Sequence, residues 1–142
     1  MKIVIASDHA GYELKEFIKE HIDNQIELVD LGTFSPESVD YPDFAHQLAS
    51  KISKNEYEFG LLMCGSGNGV AMSANKHNNV RAALCWNEEI ARLARLHNNA
   101  NVLVFPARFI DYKMVIPMIE LFILTPFEGG RHIKRVEKIN LK

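Results

Sequence analysis

Short apolar runs alternate with amphipathic stretches along the whole chain. The run "KIVIA" (2–6) is β-branched and continuous, the pattern of a strand covered on both faces. It is followed by "GYELKEFIKEHI", where Leu14, Phe17, Ile18, His21 and Ile22 recur at helical spacing with charges on the other side. The pattern repeats with "IELVD" (26–30) and a helix over 43–54, then "FGLLMC" (59–64) and a short helix through Ala74. It continues with "VRAALC" (80–85), the helix "NEEIARLARLHN", and "NVLVF" (101–105). A helix over 111–124 contains Pro117, so it must kink there or start late. A last helix begins near Gly129–Gly130 and carries the basic cluster "GRHIKR".

Five apolar strands alternating with helices predict a single domain over residues 1–142. The expected fold is an α/β three-layer αβα sandwich, Rossmann-like, with a five-stranded parallel sheet in the common order 2-1-3-4-5. Such sheets bind ligands beyond the carboxyl ends of their strands, where the strand order reverses. That crevice falls between strands one and three, whose following loops are "SDHAG" and "CGSGNG". Two chemically loaded loops thus meet at the predicted site before any motif is invoked.

Composition narrows the function. A formal charge of −2 gives no general attraction for nucleic acid or anionic membrane. The stretch "MVIPMIELFIL" is too short to span a bilayer, and the first apolar run is too short for a signal peptide. A cytoplasmic protein is expected. Two cysteines without C-x-x-C spacing argue against a disulfide framework, a zinc site or a redox pair.

The glycine loop fails three familiar spellings. From Gly65 the third dinucleotide-fingerprint position is Val70, and from Gly67 it is Met72. No lysine follows as a nucleoside-triphosphate loop requires, and Val70 stands where a cysteine phosphatase would need arginine. What remains is a nest of backbone N–H groups at a helix start, a setting that holds anions and favours a thiolate. Cys64 is therefore a candidate base or nucleophile, whereas Cys85 beside Trp86 reads as a small core residue.

The blocks "SDHAG", "DYPDFA", "CGSGNGVAMSANK", "VRAALC", "ARLARLHNNANVLVF", "AR" at 107–108 and "EGGRHIKRV" occur in this order from Ser7 to Val136. Together they resemble the type B ribose-5-phosphate isomerases, within the sugar-phosphate isomerase family that includes the galactose-6-phosphate isomerase subunits. The resemblance implies aldose–ketose interconversion through an enediol, without metal or organic cofactor. It implies Cys64 as general base, Ser66 as the hydroxyl beside the reacting oxygens, and His97 as the ring-opening acid. The amides of Gly65, Gly67, Asn68 and Gly69 would form the anion hole. Asp8, His9, Tyr41 and Asn98 would bind substrate, and Arg108, Arg131 and Arg135 the phosphate. Asp8 also fits as the N-cap of the first helix. Arg131 and Arg135 stand one helical turn apart and share a face.

The family further implies a homodimer, or a higher oligomer, with active sites shared between chains. In a 2-1-3-4-5 sheet His97, Asn98 and Arg108 flank a strand remote from the crevice, so they are expected to act across the interface. Ribose 5-phosphate is the expected substrate, with allose or galactose 6-phosphate as alternatives. A flavodoxin-like binding module is the rival of another class. It fares poorly, because strand three ends in Cys64 rather than an acid and "SDHAG" is not a flavin phosphate loop.

Overall fold

Each apolar run becomes a strand and each amphipathic stretch a helix in the computed structural model, which describes residues 1–141. The order is β1 (Lys2–Ser7), α1 (Tyr12–His21), β2 (Glu27–Asp30), α2 (Tyr41–Ser53), β3 (Gly60–Cys64), α3 (Asn68–Ala74), β4 (Ala82–Leu84), α4 (Glu88–Asn98), β5 (Val102–Pro106), α5 (Val115–Leu124) and α6 (His132–Glu137). A 3-10 turn, Tyr112–Met114, precedes α5. The helix there starts late rather than kinking. Pro117 is the third residue of α5, where a missing N–H breaks no helical bond.

All four strand pairings are parallel. The sheet order is β2-β1-β3-β5-β4, so the expected order 2-1-3-4-5 is corrected at its last two strands. Burial explains the exchange. All five residues of β5 are buried, as an interior strand covered on both faces requires. The three residues of β4 are only half-buried, which suits a short edge strand. The crevice between β1 and β3 is unaffected, but β5 now lies directly beside β3.

Two apolar layers sandwich the sheet. One joins Ile3, Ile5, Leu61, Met63, Leu103 and Phe105 to α1, α4 and α5. The other joins Val4, Ala6, Leu62, Cys64, Val102 and Val104 to α2 and α3. Odd and even strand positions thus face opposite layers, as the period of two demands.

Among the described residues one charged side chain is wholly buried. Lys15 on α1 is 0% exposed, and its Nζ donates to both Asp30 carboxylate oxygens, at 2.7 and 2.8 Å. Burial pushes the Asp30 carboxyl up, but hydrogen bonds from Lys15, Lys19 and the Gly32 amide outweigh it and hold the pKa below its ordinary value. A depressed carboxylate stabilises the fold above its unfolded pKa, and that contribution is lost as pH falls through the folded one. Lys15→Met should therefore lower the unfolding free energy by about 1–3 kcal/mol at neutral pH. The gap to wild type should narrow as pH falls below about 4, the ordinary carboxylate value, and through the lowered pKa of folded Asp30. Urea titrations across pH measure both.

Candidate active site

Cys64 is the last residue of β3 and 5% exposed, on the α2–α3 face of the sheet. The chain then turns sharply. Gly67 adopts φ +79°, a left-handed conformation costly to residues with a Cβ, and a side chain there would also run into Leu84. The turn leaves the amides of Gly65, Ser66, Gly67 and Gly69 without an acceptor among the described residues. The Asn68 amide is engaged, donating to Ser66 Oγ at 3.3 Å. Tyr41 opens α2, and its ring lies so close over Gly69 that any side chain at that position would overlap it. Gly69 therefore lets the phenol reach the rim of the loop.

From the other side of the crevice comes the turn after β1. Asp8 is 7% exposed, and its Oδ1 accepts from the amides of Ala10 (2.9 Å) and Gly11 (3.1 Å). The Asp8 side chain closes this turn instead of capping α1. Gly11 occupies the cap position of that helix. The Asp8 amide donates to Met63 O (3.3 Å), tying the turn to β3. His9 Nδ1 accepts from the Val39 amide at 3.1 Å. A neutral His9 must then carry its proton on Nε2, as a donor. Asp8, His9, Asp40 and Tyr41 line a cleft of about 530 Å³, within the range of small-ligand sites.

Arg108 meets the glycine loop from β5. The β3–β5 ladder continues beyond the strands, with Ala107 N donating to Cys64 O (2.9 Å) and Arg108 N to Gly65 O (3.0 Å). A Cβ added to Gly65 would stand 3.3 Å from Arg108 Nη1. The expectation that Arg108 acts across an interface is thus corrected, because β5 borders β3 in the same chain and carries Arg108 to the thiol loop.

His97, Asn98, Arg131 and Arg135 are elsewhere. Helix α4 begins just past β4, capped by Asn87 Oδ1 accepting from Ile90 N (2.9 Å), and runs back along the sheet. His97 and Asn98 end it at the amino edge, before β5 starts. The five residues of β5 put about 16 Å between that edge and the glycine loop. Arg95 fixes this turn, donating to Thr125 O (3.1 Å), Asn99 Oδ1 (3.0 Å) and Ala100 O (2.6 Å). The His97 ring stacks on His132, the first residue of α6, with centroids 4.4 Å apart. Arg131 and Arg135 flank His132, both exposed. Burial, with His97 and then the two arginines, holds the His132 pKa below the usual histidine range against the opposing pull of Glu128.

The fourteen residues singled out from sequence thus separate into ten at the carboxyl edge and four at the amino edge. Cys85 lies in neither group. Burial pushes its thiol up to about 12, so it stays protonated and unreactive near neutral pH.

A family profile described as Ribose/Galactose Isomerase matches residues 3–139. The chain belongs to that family. Among its relatives is a protein of Mycoplasma genitalium named probable ribose-5-phosphate isomerase B, 47% identical over 140 residues, covering 96% of this chain and 92% of that one. The ribose-5-phosphate isomerase B of Escherichia coli is 38% identical over 139 residues, covering 97% and 93%. A crystal structure of the Thermotoga maritima ribose 5-phosphate isomerase superposes with a TM-score of 0.94 at 50% identity, covering 97% of this chain and 96% of that one. The Mycoplasma genitalium enzyme crystallised with bound ribulose-5-phosphate gives 0.92 at 47%, covering 97% and 93%. As an isomerase of this family the chain shares its sheet, and no helix among the described residues is long and apolar enough to cross a membrane.

Glu128 and His132 were not singled out from sequence, although both gather around His97.

Proposed function

We propose that this chain interconverts ribose 5-phosphate and ribulose 5-phosphate as part of a homodimer whose active sites are shared. The observation that carries the reading is that Cys64 opens a glycine loop with free amides, which Arg108 meets at Gly65 and Tyr41 meets at Gly69, beside the cleft lined by Asp8, His9 and Tyr41. The names of the relatives and the ribulose-5-phosphate complex of one of them support the same substrate.

In this reading the Cys64 thiolate removes the proton from C2 of the open-chain aldose. Charge moves onto the C1 oxygen as the C1–C2 double bond forms. The amides of Gly65, Gly67 and Gly69 stabilise this enediolate, a contribution typically of about 3–4 kcal/mol per well-aimed donor. The Asn68 amide acts through Ser66, whose Oγ it steadies beside the two sugar oxygens. The hydroxyl proton passes from O2 to O1, and the Cys64 thiol returns its proton to C1, which yields the ketose. His9, a donor at Nε2, and Asp8 and Tyr41 hold the sugar chain.

The four remaining residues come from a second copy of the chain. Their own sheet holds them at the wrong edge, so His97 opens the sugar ring, Asn98 steadies it, and Arg131 and Arg135 join Arg108 on the phosphate only across an interface. Exposed Met72, Trp86 and Phe109 supply apolar surface for it near the carboxyl edge.

A substrate panel with purified protein and chelator present tests the chemistry. Ribose 5-phosphate should be turned over with kcat/KM at least about 100-fold above allose or galactose 6-phosphate, since a misplaced reacting carbon costs about that factor. Equal or better turnover of a six-carbon phosphate would assign the site to hexose phosphates.

A further inference from the structure

We propose that His97, Glu128 and His132 form a binding site for a divalent transition-metal ion of the zinc type, and that an ion seated there inhibits the enzyme by occupying His97. The binding stands on geometry alone, whereas the inhibition rests on the ring-opening role given to His97 above.

Two imidazoles and a carboxylate are a ligand set that zinc favours, with a fourth position left for water. Glu128 Oε2 lies 3.8 Å from His97 Nε2 and 3.8 Å from His132 Nε2. Those separations are too long for hydrogen bonds. The three ligand atoms all lie within 4.8 Å of one another. Tetrahedral bonds of about 2.0–2.2 Å place ligand atoms about 3.4 Å apart. The side chains would have to draw together to close the set around an ion, but no backbone element has to be rebuilt.

A second observation points independently to a ligand. His132 is 5% exposed, and its Nε2 is buried with no hydrogen-bond partner. An unpaired buried polar atom is costly, and a metal bond would satisfy it. The backbone around the site is already fixed. The Glu128 amide donates to Leu96 O (3.1 Å), and Arg95 holds Thr125, Asn99 and Ala100.

The rings of His97 and His132 lie stacked face to face, 14° from parallel, so their in-plane nitrogens do not point at one ion. Coordination requires one ring to turn. The His97 side chain is 39% exposed and has the room to do so. Arg131 and Arg135 repel a cation, which sets the affinity below that of a structural zinc site but leaves the ligand set intact.

The experiment titrates chelator-stripped protein with Zn²⁺ by calorimetry, without substrate. One ion should bind per chain in wild type and in Cys64→Ser. Glu128→Gln and His132→Ala should each weaken binding by about tenfold or more. In parallel assays Zn²⁺ should inhibit wild type, chelator should restore activity, and Glu128→Gln should stay active at zinc concentrations that silence wild type. Unchanged binding in both variants, loss of binding in Cys64→Ser, or no binding at all would each overturn the site. Binding as described without inhibition would keep the site and overturn the role of His97, so the two failures are distinct.

Discussion

Cys64→Ala should lose isomerisation by about 10²–10⁴-fold in kcat, the range expected when a general base is removed, with little change in KM. Proton exchange between C2 of ribose 5-phosphate and solvent should stop, while calorimetry still detects sugar-phosphate binding. Of its neighbours, the groups that could compete as bases are partly engaged. Asp8 spends one oxygen on the amides of Ala10 and Gly11. His9 receives the Val39 amide on Nδ1, so its remaining nitrogen bears a proton and can only donate. Ser66 has a hydroxyl and Arg108 a permanent cation. Cys64→Ser should be as inactive as the alanine variant, because the hydroxyl keeps the shape but holds its proton far more tightly than a thiol. The fold should tolerate both, since the side chain is small and its backbone carbonyl remains anchored by the Ala107 amide. Wild-type exchange rates in Cys64→Ala would remove Cys64 as the base.

The strands, the helices and the crevice were legible because they rest on local signals. β3 is apolar at every position and ends at a cysteine before glycines, so its place and its loop follow from sequence alone. The order of the last two strands depends instead on a comparison between segments. "NVLVF" carries bulky side chains on both faces, and "VRAALC" offers two alanines and an arginine; weighed against each other they already mark β5 as interior and β4 as edge. Taking the common order instead misplaced Arg108. Helix direction was equally readable. An 11-residue helix advances about 16 Å, so α4 had to return His97 to the amino edge. The His97–Glu128–His132 cluster was not legible, because it depends on how α6 docks against the end of α4, which no local pattern specifies.

That return of α4 sets up the second large effect. Cys64→Ala and His97→Ala should each be nearly inactive as pure proteins. If the two residues serve one site from different chains, a mixed dimer of the variants has one site in which both residues are native and one in which both are lost. Random exchange makes half of all dimers mixed, so the mixture should regain about a quarter of wild-type activity. The activity should appear on co-refolding or co-expression, and should scale with the mixed fraction when the two chains carry different tags and the hybrid is purified. Separately folded dimers combined without exchange should show none. A site built within one chain predicts no recovery in the purified hybrid, and that result would sink the shared site. The same hybrid also separates the arginines. Arg108 lies against Gly65 in its own chain, so Arg108→Ala should fail to complement Cys64→Ala: one carboxyl-edge half-site of the hybrid lacks Cys64 and the other lacks Arg108. Arg131→Ala and Arg135→Ala, at the edge that holds His97, should complement Cys64→Ala as His97→Ala does. The pattern of which pairs recover thus maps each residue to one chain or the other, without any structure of the dimer.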